Sequence, residues 1–240
     1  MTGGSYRRAS GYEYSDITYA EGTGFAYGWA DRYRASDVSN GRDTWAWSPS
    51  TGTVRIGLAG PAFTNANGFQ YSEVVFRANS GALIGSTYHL TAADAVNGEE
   101  AWIYDPLLNL TLQPTAGVLG SVRLADGYGY SKVTSATDDG FYLGYFTFFN
   151  LGAGSGVDRA FAFRPDLGFT DLGSLVEGGL TAAGWTTLQQ PQFAQVFSFI
   201  VGNGLTIGET ATSRSVFVMI PAPGAALLFG VAGLAVNRRR

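Results

Sequence analysis

The stretch that decides the fold is Trp45-Ala46-Trp47-Ser48-Pro49, because it returns twice more along the chain. The second copy is Trp102-Ile103-Tyr104-Asp105-Pro106, and the third is Phe161-Ala162-Phe163-Arg164-Pro165. The copies are separated first by 57 and then by 59 residues. Each carries aromatic side chains at alternate positions, the period of a β-strand, and ends in a proline, which lacks the N–H that a further strand residue needs.

Two other landmarks keep the same spacing and show that the whole segment is repeated. The first is Gly11-Tyr12-Glu13-Tyr14-Ser15, followed by Gly68-Phe69-Gln70-Tyr71-Ser72 and Gly127-Tyr128-Gly129-Tyr130-Ser131. The second is Gly24–Gly28, followed by Gly81–Gly85 and Gly140–Gly144. A fourth, decayed copy keeps Gly184-Trp185, Gly202 and Phe217–Pro221.

Each copy predicts four short strands, since β-branched and aromatic runs alternate with polar turns such as Glu21-Gly22-Thr23. Four strands in roughly 58 residues are close to one propeller blade, although the period is slightly longer than usual. We therefore predict an all-β domain over residues 1–221, a propeller-like array of about four four-stranded repeats with a period of 57–59 residues. A β-solenoid is the main alternative.

Composition narrows the function classes. The 240 residues carry a net charge of −4, which argues against nucleic acid as a partner because phosphate binding needs a positive surface. The chain has no cysteine, which excludes disulfides and thiolate metal sites, and a single histidine, His89. We expect His89 to be a solvated loop side chain, and we predict no metal site, no cofactor and no catalytic residue.

The charged residues at equivalent positions of the repeats point the same way. Their sign changes from copy to copy, as is typical of a solvated surface. We therefore expect two sets of equivalent positions to be solvated. The first set is Asp16, Glu73, Lys132 and Gln189, and the second is Asp43, Glu100 and Arg159. The adjacent carboxylates Glu99-Glu100 and Asp138-Asp139 are not a natural acid–base pair, because neighbours in a strand point to opposite faces. The sequence therefore predicts that the protein is not an enzyme.

The third repeat resembles the HAF repeat of bacterial extracellular proteins. The resemblance rests on Arg159–Pro165 followed by Phe169-Thr170-Asp171-Leu172-Gly173, with Arg159 where that family has histidine. The companion pattern of that family is similar to Asn79–Gly85. The resemblance implies an extracellular repeat domain and no particular chemistry.

The C-terminal segment has a different character. Pro221-Ala222-Pro223 is followed by thirteen small or apolar residues, 224–236, and the chain ends in Arg238-Arg239-Arg240. No polar face interrupts the apolar run, so we predict a short hydrophobic helix in a separate C-terminal anchor, residues 222–240. As a helix it would span roughly 20 Å, less than the roughly 30 Å of a bilayer core.

This tail resembles the PEP-CTERM sorting signal of Gram-negative bacteria, with Ala222 where that family usually has glutamate. The resemblance implies transient anchoring in the inner membrane, processing by an exosortase near Pro221 and Pro223, and release to the cell surface or the medium. A secreted protein needs a signal peptide, and residues 1–10 have no apolar segment of that kind. The counterpart of strand 53–57 would also fall before residue 1, so we expect the first repeat to lack a strand and the reading frame to extend upstream.

Aromatic residues are the remaining candidates for a binding site. Those repeated in the third strand of each copy are expected to be core, because equivalent positions in repeat proteins are usually packing positions. The loop aromatics are candidates for a carbohydrate contact: Tyr33, Tyr88, Phe146, Phe148 and Phe149.

Together these observations predict a non-enzymatic structural or interaction protein of the bacterial envelope or biofilm matrix. Two alternatives stay open. One is a propeller module that binds carbohydrate, with exopolysaccharide as the partner. The other is a propeller-type glycoside hydrolase or lyase, which would need two carboxylates within roughly 5–10 Å of each other.

Overall fold

The structure, a computed structural model, describes residues 4–34, 37–90, 95–118, 124, 128–149, 156–194, 199–207, 215–221 and 231–234. These residues form β-strands, turns and two short 3₁₀ helices, Gly4–Tyr6 and Leu172–Leu175, and they contain no α-helix. The prediction of an all-β chain is confirmed. Among the residues described here, no helix is long and apolar enough to cross a membrane.

The chain divides into two compact units, of which the first comprises residues 1–114 and 125–130. It contains two four-stranded antiparallel sheets. A short parallel pairing of Gly41 and Arg42 with Gln70 and Tyr71 joins the two into one continuous hydrogen-bonded sheet. The first sheet consists of β1 (Ser15–Ala20), β2 (Ala26–Tyr33), β3 (Ser39–Ser48) and β4 (Gly52–Ile56). The second consists of β5 (Gln70–Arg77), β6 (Leu83–Leu90), β7 (Val96–Asp105) and β8 (Leu110–Leu112).

The second unit comprises residues 115–124 and 131–240 and repeats this plan. Its first sheet, the third of the chain, consists of β9 (Gly129–Ala136), β10 (Tyr142–Phe149), β11 (Gly156–Arg164) and β12 (Gly168–Asp171). The fourth sheet consists of β13 (Trp185–Ala194), β14 (Phe199–Thr206), β15 (Ser215–Pro221) and β16 (Val231–Leu234). Each repeat thus supplies one four-stranded sheet.

Two expectations are corrected by this strand order. The first repeat does not lack a strand, because β4 follows β3 through a tight turn and pairs with it in the same repeat. In the described part of the C-terminal segment there is no helix either: Val231–Leu234 is a strand that pairs with β15 and joins the fourth sheet. In these four residues, pairing with β15 therefore decides the structure, although their apolar sequence predicted a helix. The predicted boundary between residues 221 and 222 stays a prediction.

A glycine beneath an aromatic ring recurs in every sheet. The glycine lies in the second strand, and the aromatic residue lies opposite it in the third; the pairs are Gly28 and Trp45, Gly85 and Trp102, Gly144 and Phe161, and Gly202 and Phe217. A Cβ atom on Gly85 would lie 2.1 Å from Cζ2 of Trp102 and 2.2 Å from the carbonyl oxygen of Glu73. Only glycine leaves room for the ring and for the first strand together.

A β-bulge accompanies this glycine in the first strand of each sheet. The extra residue is Thr18 in β1, Val75 in β5 and Thr134 in β9, and in β13 the irregularity contains Pro191. A proline is tolerated within β13 because a bulge residue does not take part in the ladder of hydrogen bonds. In the second unit the hydroxyl of Thr134 donates to the carbonyl oxygen of Pro191 at 2.6 Å.

The cores lie between successive sheets. Each sheet has two faces. The forward face carries Ala46 or the equivalent residue of another repeat. The rear face carries Trp45 and Trp47 or their equivalents. In the first unit, Tyr27, Ala46 and Ile56 on the forward face of the first sheet pack with Leu83, Trp102 and Tyr104 of the second. The second unit has the same arrangement, since the forward face of the third sheet meets Trp185, Leu188 and Phe217 of the fourth.

The glycine beneath the aromatic ring gives a first testable prediction. Substitution Gly85→Ala should lower the free energy of unfolding of the first unit by about 3 kcal/mol, because either Trp102 or the backbone of β5 has to move. Denaturant titration followed by tryptophan fluorescence measures this loss. Gly22→Ala is the matched control, because a Cβ atom there meets nothing within 4 Å. An equal effect of the two substitutions would contradict the packing argument.

Candidate functional site

A pocket of about 180 Å³ in the first unit is a candidate site. We call it the Trp29 pocket; its lining residues come from both sheets of the unit and are Thr18, Gly28, Trp29, Arg42, Thr44, Glu73 and Val74. Trp29 is the only aromatic residue among them, and Arg42 and Glu73 are the charged ones. The pocket thus offers an aromatic ring, hydroxyl groups, a cation and a carboxylate to the same small volume.

Stacking fixes the cation of the pocket. The Cζ atom of Arg42 lies 3.5 Å from the ring centroid of Trp29, and its Nε atom lies 3.8 Å from Oδ1 of Asp31. The ring of Tyr14 packs on Trp29 at a centroid distance of 5.1 Å. A guanidinium held by a ring and a carboxylate loses little further freedom when it binds a ligand.

The carboxylate of the pocket is positioned by a second pair of rings. Tyr71 and Tyr88 stack with their centroids 4.7 Å apart, and the hydroxyl of Tyr71 donates to Oε2 of Glu73 at 3.3 Å. Burial, followed by the negative charge of Glu73, raises the pKa of Tyr71 above its usual value of 10.0. Tyr71 is therefore a neutral donor at physiological pH and holds Glu73 beside the pocket.

The aromatic residues predicted to contact carbohydrate are divided by the structure. Tyr33, Phe146 and Phe149 are buried, so their rings form part of the interior. Tyr88 and Phe148 are partly exposed. Tyr88 reaches the Trp29 pocket through Tyr71, whereas Phe148 lies in the second unit beneath the guanidinium of Arg159, whose Cζ atom is 3.6 Å from the ring centroid.

Trp29, Arg42 and Glu73 were missed as a site by the sequence analysis, which ranked residues by their repetition. The positions equivalent to Trp29 are Ser86 and Tyr145, and so the tryptophan belongs to one repeat alone. An aromatic residue that departs from the repeat frame is the signal that would have found it.

Several predictions about charged and polar residues are corrected. His89 is not a solvated loop residue, because it lies in β6, is buried, and packs edge-on against Phe63 at a centroid distance of 5.7 Å. The expected solvated surface is wrong for Asp43, Glu100 and Gln189, which are buried. Asp16 is exposed as expected, and the other members of the two sets are partly exposed: Glu73, Lys132 and Arg159. Asp43, for example, is buried among Tyr6, Arg32 and Arg55, and the charge pattern along the sequence does not show such contacts.

The buried Asp43, of which 1% is exposed, is held by a cluster of polar groups. The hydroxyl of Tyr6 donates to Oδ2 of Asp43 at 2.7 Å. Nη1 of Arg32 and Nε of Arg55 lie 3.6 and 3.4 Å from Oδ1. Gln70 joins the cluster, since its side-chain oxygen accepts hydrogen bonds from both arginines. The cluster ties the N-terminal segment to the first sheet.

The same position in the other repeats holds a related pair. In the second sheet Gln113 Nε2 donates to Oε2 of Glu100 at 3.1 Å, and in the third Nη1 of Arg159 donates to Oδ2 of Asp171 at 3.2 Å. The carboxylate therefore changes from the third strand to the fourth between the first and the third repeat. The pairing recurs in three repeats, with the charges reversed in the third. We therefore interpret it as a structural contact and not as a ligand-binding site.

The remaining site predictions concern the tail. Pro221 is the last residue of β15, and Ala222, Pro223, Arg238, Arg239 and Arg240 lie outside the described residues. Within the described part of the chain, no group of three or more potential ligands is placed to hold a metal ion. The exosortase, the inner membrane and exopolysaccharide stay predictions as partners.

No known protein family and no curated protein matches the chain. Among solved structures it is similar to a putative glycoside hydrolase from Bacteroides ovatus, with 7% identity and a TM-score of 0.32, over 92% of this chain and 71% of that one. It is also similar to an exo-1,5-α-L-arabinanase from a bovine ruminal metagenomic library, with 10% identity and a TM-score of 0.35, over 93% of this chain and 77% of that one. A third similar structure is a mutant α-L-arabinanase from Cellvibrio cellulosa, with 10% identity and a TM-score of 0.33, over 87% of this chain and 73% of that one.

These comparisons contradict two predictions from the sequence, that the protein is a non-enzymatic structural protein and that it is not an enzyme. The three proteins named above carry the names of a putative glycoside hydrolase and of two arabinanases. Because the identities and TM-scores are low, they transfer no residue and no substrate to this chain.

The Asp43 cluster gives a second testable prediction. Substitution Tyr6→Phe removes a hydrogen bond to a buried carboxylate and should speed tryptic cleavage after Arg7 or Arg8 by about tenfold. Tyr12→Phe, at a half-exposed tyrosine, is the control and should leave the rate unchanged.

The effect of Tyr6 should also depend on pH. Burial and then the hydrogen bond to Asp43 raise the pKa of Tyr6 from 10.0 to about 12, so the folded chain favours the protonated phenol. Its contribution is present below pH 10 and is lost as the pH rises toward 12. The cleavage rates of Tyr6→Phe and the native chain should therefore converge at high pH, in a series measured with a protease active there. A difference that persists would contradict the assignment.

Proposed function

We propose that the protein is carbohydrate-active and binds a saccharide in the Trp29 pocket. The observation that carries the proposal is the combination of the Trp29 ring with Arg42 and Glu73 around a volume of about 180 Å³. A sugar ring presents an apolar face of C–H groups and an edge of hydroxyl groups. Arg42 and Glu73 suit the hydroxyl groups as donor and acceptor, and the part of Trp29 that Arg42 leaves uncovered bounds the pocket with an apolar surface.

The preformed contacts of the pocket support this proposal. Arg42 is stacked on Trp29 and Glu73 accepts a hydrogen bond from Tyr71, so both charged groups are oriented before a ligand arrives. Preorganised groups cost less ordering on binding than free side chains do. The pocket volume of about 180 Å³ suits a single sugar ring rather than a long chain in an extended groove.

A propeller-like arrangement of the repeats belongs to the same proposal. Within each unit, two four-stranded antiparallel sheets pack face to face, which is the relation between neighbouring blades of a propeller. The pocket lies where the first and second sheets adjoin, a common place for a ligand site because loops and strand edges of two elements meet there.

We also propose that the protein is sorted by its C-terminal tail to the cell surface or the medium. The support is the sequence Pro221-Ala222-Pro223, the apolar residues 224–236 and the terminal arginines, together with the resemblance of this tail to the PEP-CTERM signal. An exosortase-type enzyme would then be a processing partner, and the inner membrane a transient one. Exopolysaccharide outside the cell would be a saccharide within reach of the Trp29 pocket.

Binding to the Trp29 pocket gives a third testable prediction. In a panel of plant and bacterial polysaccharides and their oligosaccharides, at least one should bind, and Arg42→Ala should weaken that binding about tenfold, the effect of about 1.4 kcal/mol. Arg164→Ala is the matched control, because Arg164 also lies over an aromatic ring, that of Phe141, but outside the pocket. Isothermal titration calorimetry measures both variants. Equal losses, or no binding by the native chain to any member, would overturn the proposal.

The same samples test for cleavage of the bound saccharide. Glu73 is the carboxylate that lines the pocket, and chemistry at a glycosidic bond needs such a group as a general acid or base. If the native chain releases reducing ends, Glu73→Gln should reduce the release to background while Trp29 still binds the saccharide. A variant that cleaves as fast as the native chain would place the chemistry elsewhere.

The tail gives a fourth prediction. In its bacterial host, the native protein should appear outside the cell with a C-terminus near Pro221 or Pro223, and a variant without Arg238, Arg239 and Arg240 should be retained uncut. Cell fractionation followed by mass spectrometry of the mature C-terminus distinguishes the two. An uncut native protein in the cytoplasm would overturn the sorting proposal and leave the saccharide proposal untouched.

A further inference from the structure

The two terminal sheets each have one face that their counterparts elsewhere in the chain bury. On the rear face of the first sheet, Trp47 is 39% exposed, whereas the equivalent Tyr104 of the second sheet is 3% exposed. On the forward face of the fourth sheet, Val216 is 59% exposed, whereas the equivalent Ala160 of the third sheet is fully buried. The difference follows from position: Tyr104 and Ala160 each have a neighbouring sheet within their unit.

The rear face of the first sheet keeps the residues that this packing uses. Trp45 and Trp47 occupy the places of Trp102 and Tyr104, and Ile17, which is also exposed, occupies the place of Val74. In the second sheet these positions pack against the forward face of the first. The exposed apolar part of this face consists of Trp47 and Ile17, whereas Trp45 is only 8% exposed and lies opposite Arg55. An exposed tryptophan such as Trp47 is typical of an interface core.

The forward face of the fourth sheet has the complementary character. Val201 and Val218 lie opposite each other in β14 and β15, and Val216 lies two residues along β15 on the same side. Their counterparts in the third sheet are Leu143, Ala162 and Ala160, which pack against the rear face of the fourth. The forward face that ends the chain is thus also apolar and without charged residues at these three positions.

We propose that these two faces bind each other between two copies of the chain, head to tail. The forward face of the fourth sheet of one copy would pack on the rear face of the first sheet of the next, and so continue the contact that joins successive sheets within each unit. This contact is heterologous, because the two surfaces differ, and it builds closed or open assemblies according to the rotation between copies. The proposal is independent of saccharide binding.

The heterologous geometry allows a sharp test with two variants. Trp47→Glu spoils only the rear face, and Val216→Glu spoils only the forward face, so neither variant can assemble with itself. In an equimolar mixture, however, the intact forward face of the Trp47→Glu chain meets the intact rear face of the Val216→Glu chain. The mixture should therefore form a 1:1 dimer of about twice 25.4 kDa, whereas each variant alone stays at 25.4 kDa.

Light scattering coupled to size-exclusion chromatography measures these masses, and the native chain should give a multiple of 25.4 kDa. Leu107→Glu is the control, because Leu107 is an exposed apolar residue in the turn between β7 and β8, away from both faces, and its substitution should leave the native assembly intact. Formation of the mixed dimer also shows that both variants are folded. A monomeric native chain, a mixture that stays monomeric, or dissociation of the Leu107→Glu assembly would each overturn the proposal.

Discussion

The contact between a second-strand glycine and a third-strand aromatic ring is the constraint on which the sheets depend. At Gly85 the ring of Trp102 and a backbone carbonyl of the first strand approach so closely that no side chain fits. The bulge at Val75 lies beside this contact in β5, and equivalent bulges accompany Gly28, Gly144 and Gly202. Bulges increase the local twist of a strand, which suits two twisted sheets that pack face to face within a unit. The repeat is thus preserved in steric terms, at positions that share a contact rather than a chemical group.

Away from that contact the residues differ between repeats, and residues that contact each other on the third and fourth strands differ together. The carboxylate of Asp43 faces Arg55, that of Glu100 faces Gln113, and in the third repeat the charges are reversed as Arg159 and Asp171. A buried charge needs a partner, so a change on one strand is tolerated only with a change on the other. The same requirement explains Tyr6, which supplies a further hydrogen bond to Asp43 in the one repeat where the carboxylate meets two arginines.

The sequence predicts the architecture well where its argument rests on spacing. The offsets of 57 and 59 residues place the repeats and their strands, and alternation places Trp102 and Phe161 in the interior. It fails where the outcome depends on packing between sheets. The burial of His89 and Glu100 results from neighbours distant in sequence, and the strand at Val231–Leu234 forms because β15 offers it a free edge. The sequence analysis missed the Trp29 pocket for a related reason. The equivalents of Trp29 are Ser86 and Tyr145, so a search for repeated residues does not select this position.

These observations explain why a site arises at the junction of two sheets. A strictly regular array would fill every junction with the same apolar contact and leave no cavity between its sheets. The Trp29 pocket exists because the first junction departs from that contact: Trp29 and Arg42 replace Ser86 and Glu99 of the next repeat, and their stacked side chains stand beside Glu73 of the second sheet. The shared glycines and rings hold the sheets in place, so a local departure can supply chemistry without loss of the fold. Stability thus depends on the contacts that the repeats share, and the proposed saccharide site depends on residues that one repeat has alone.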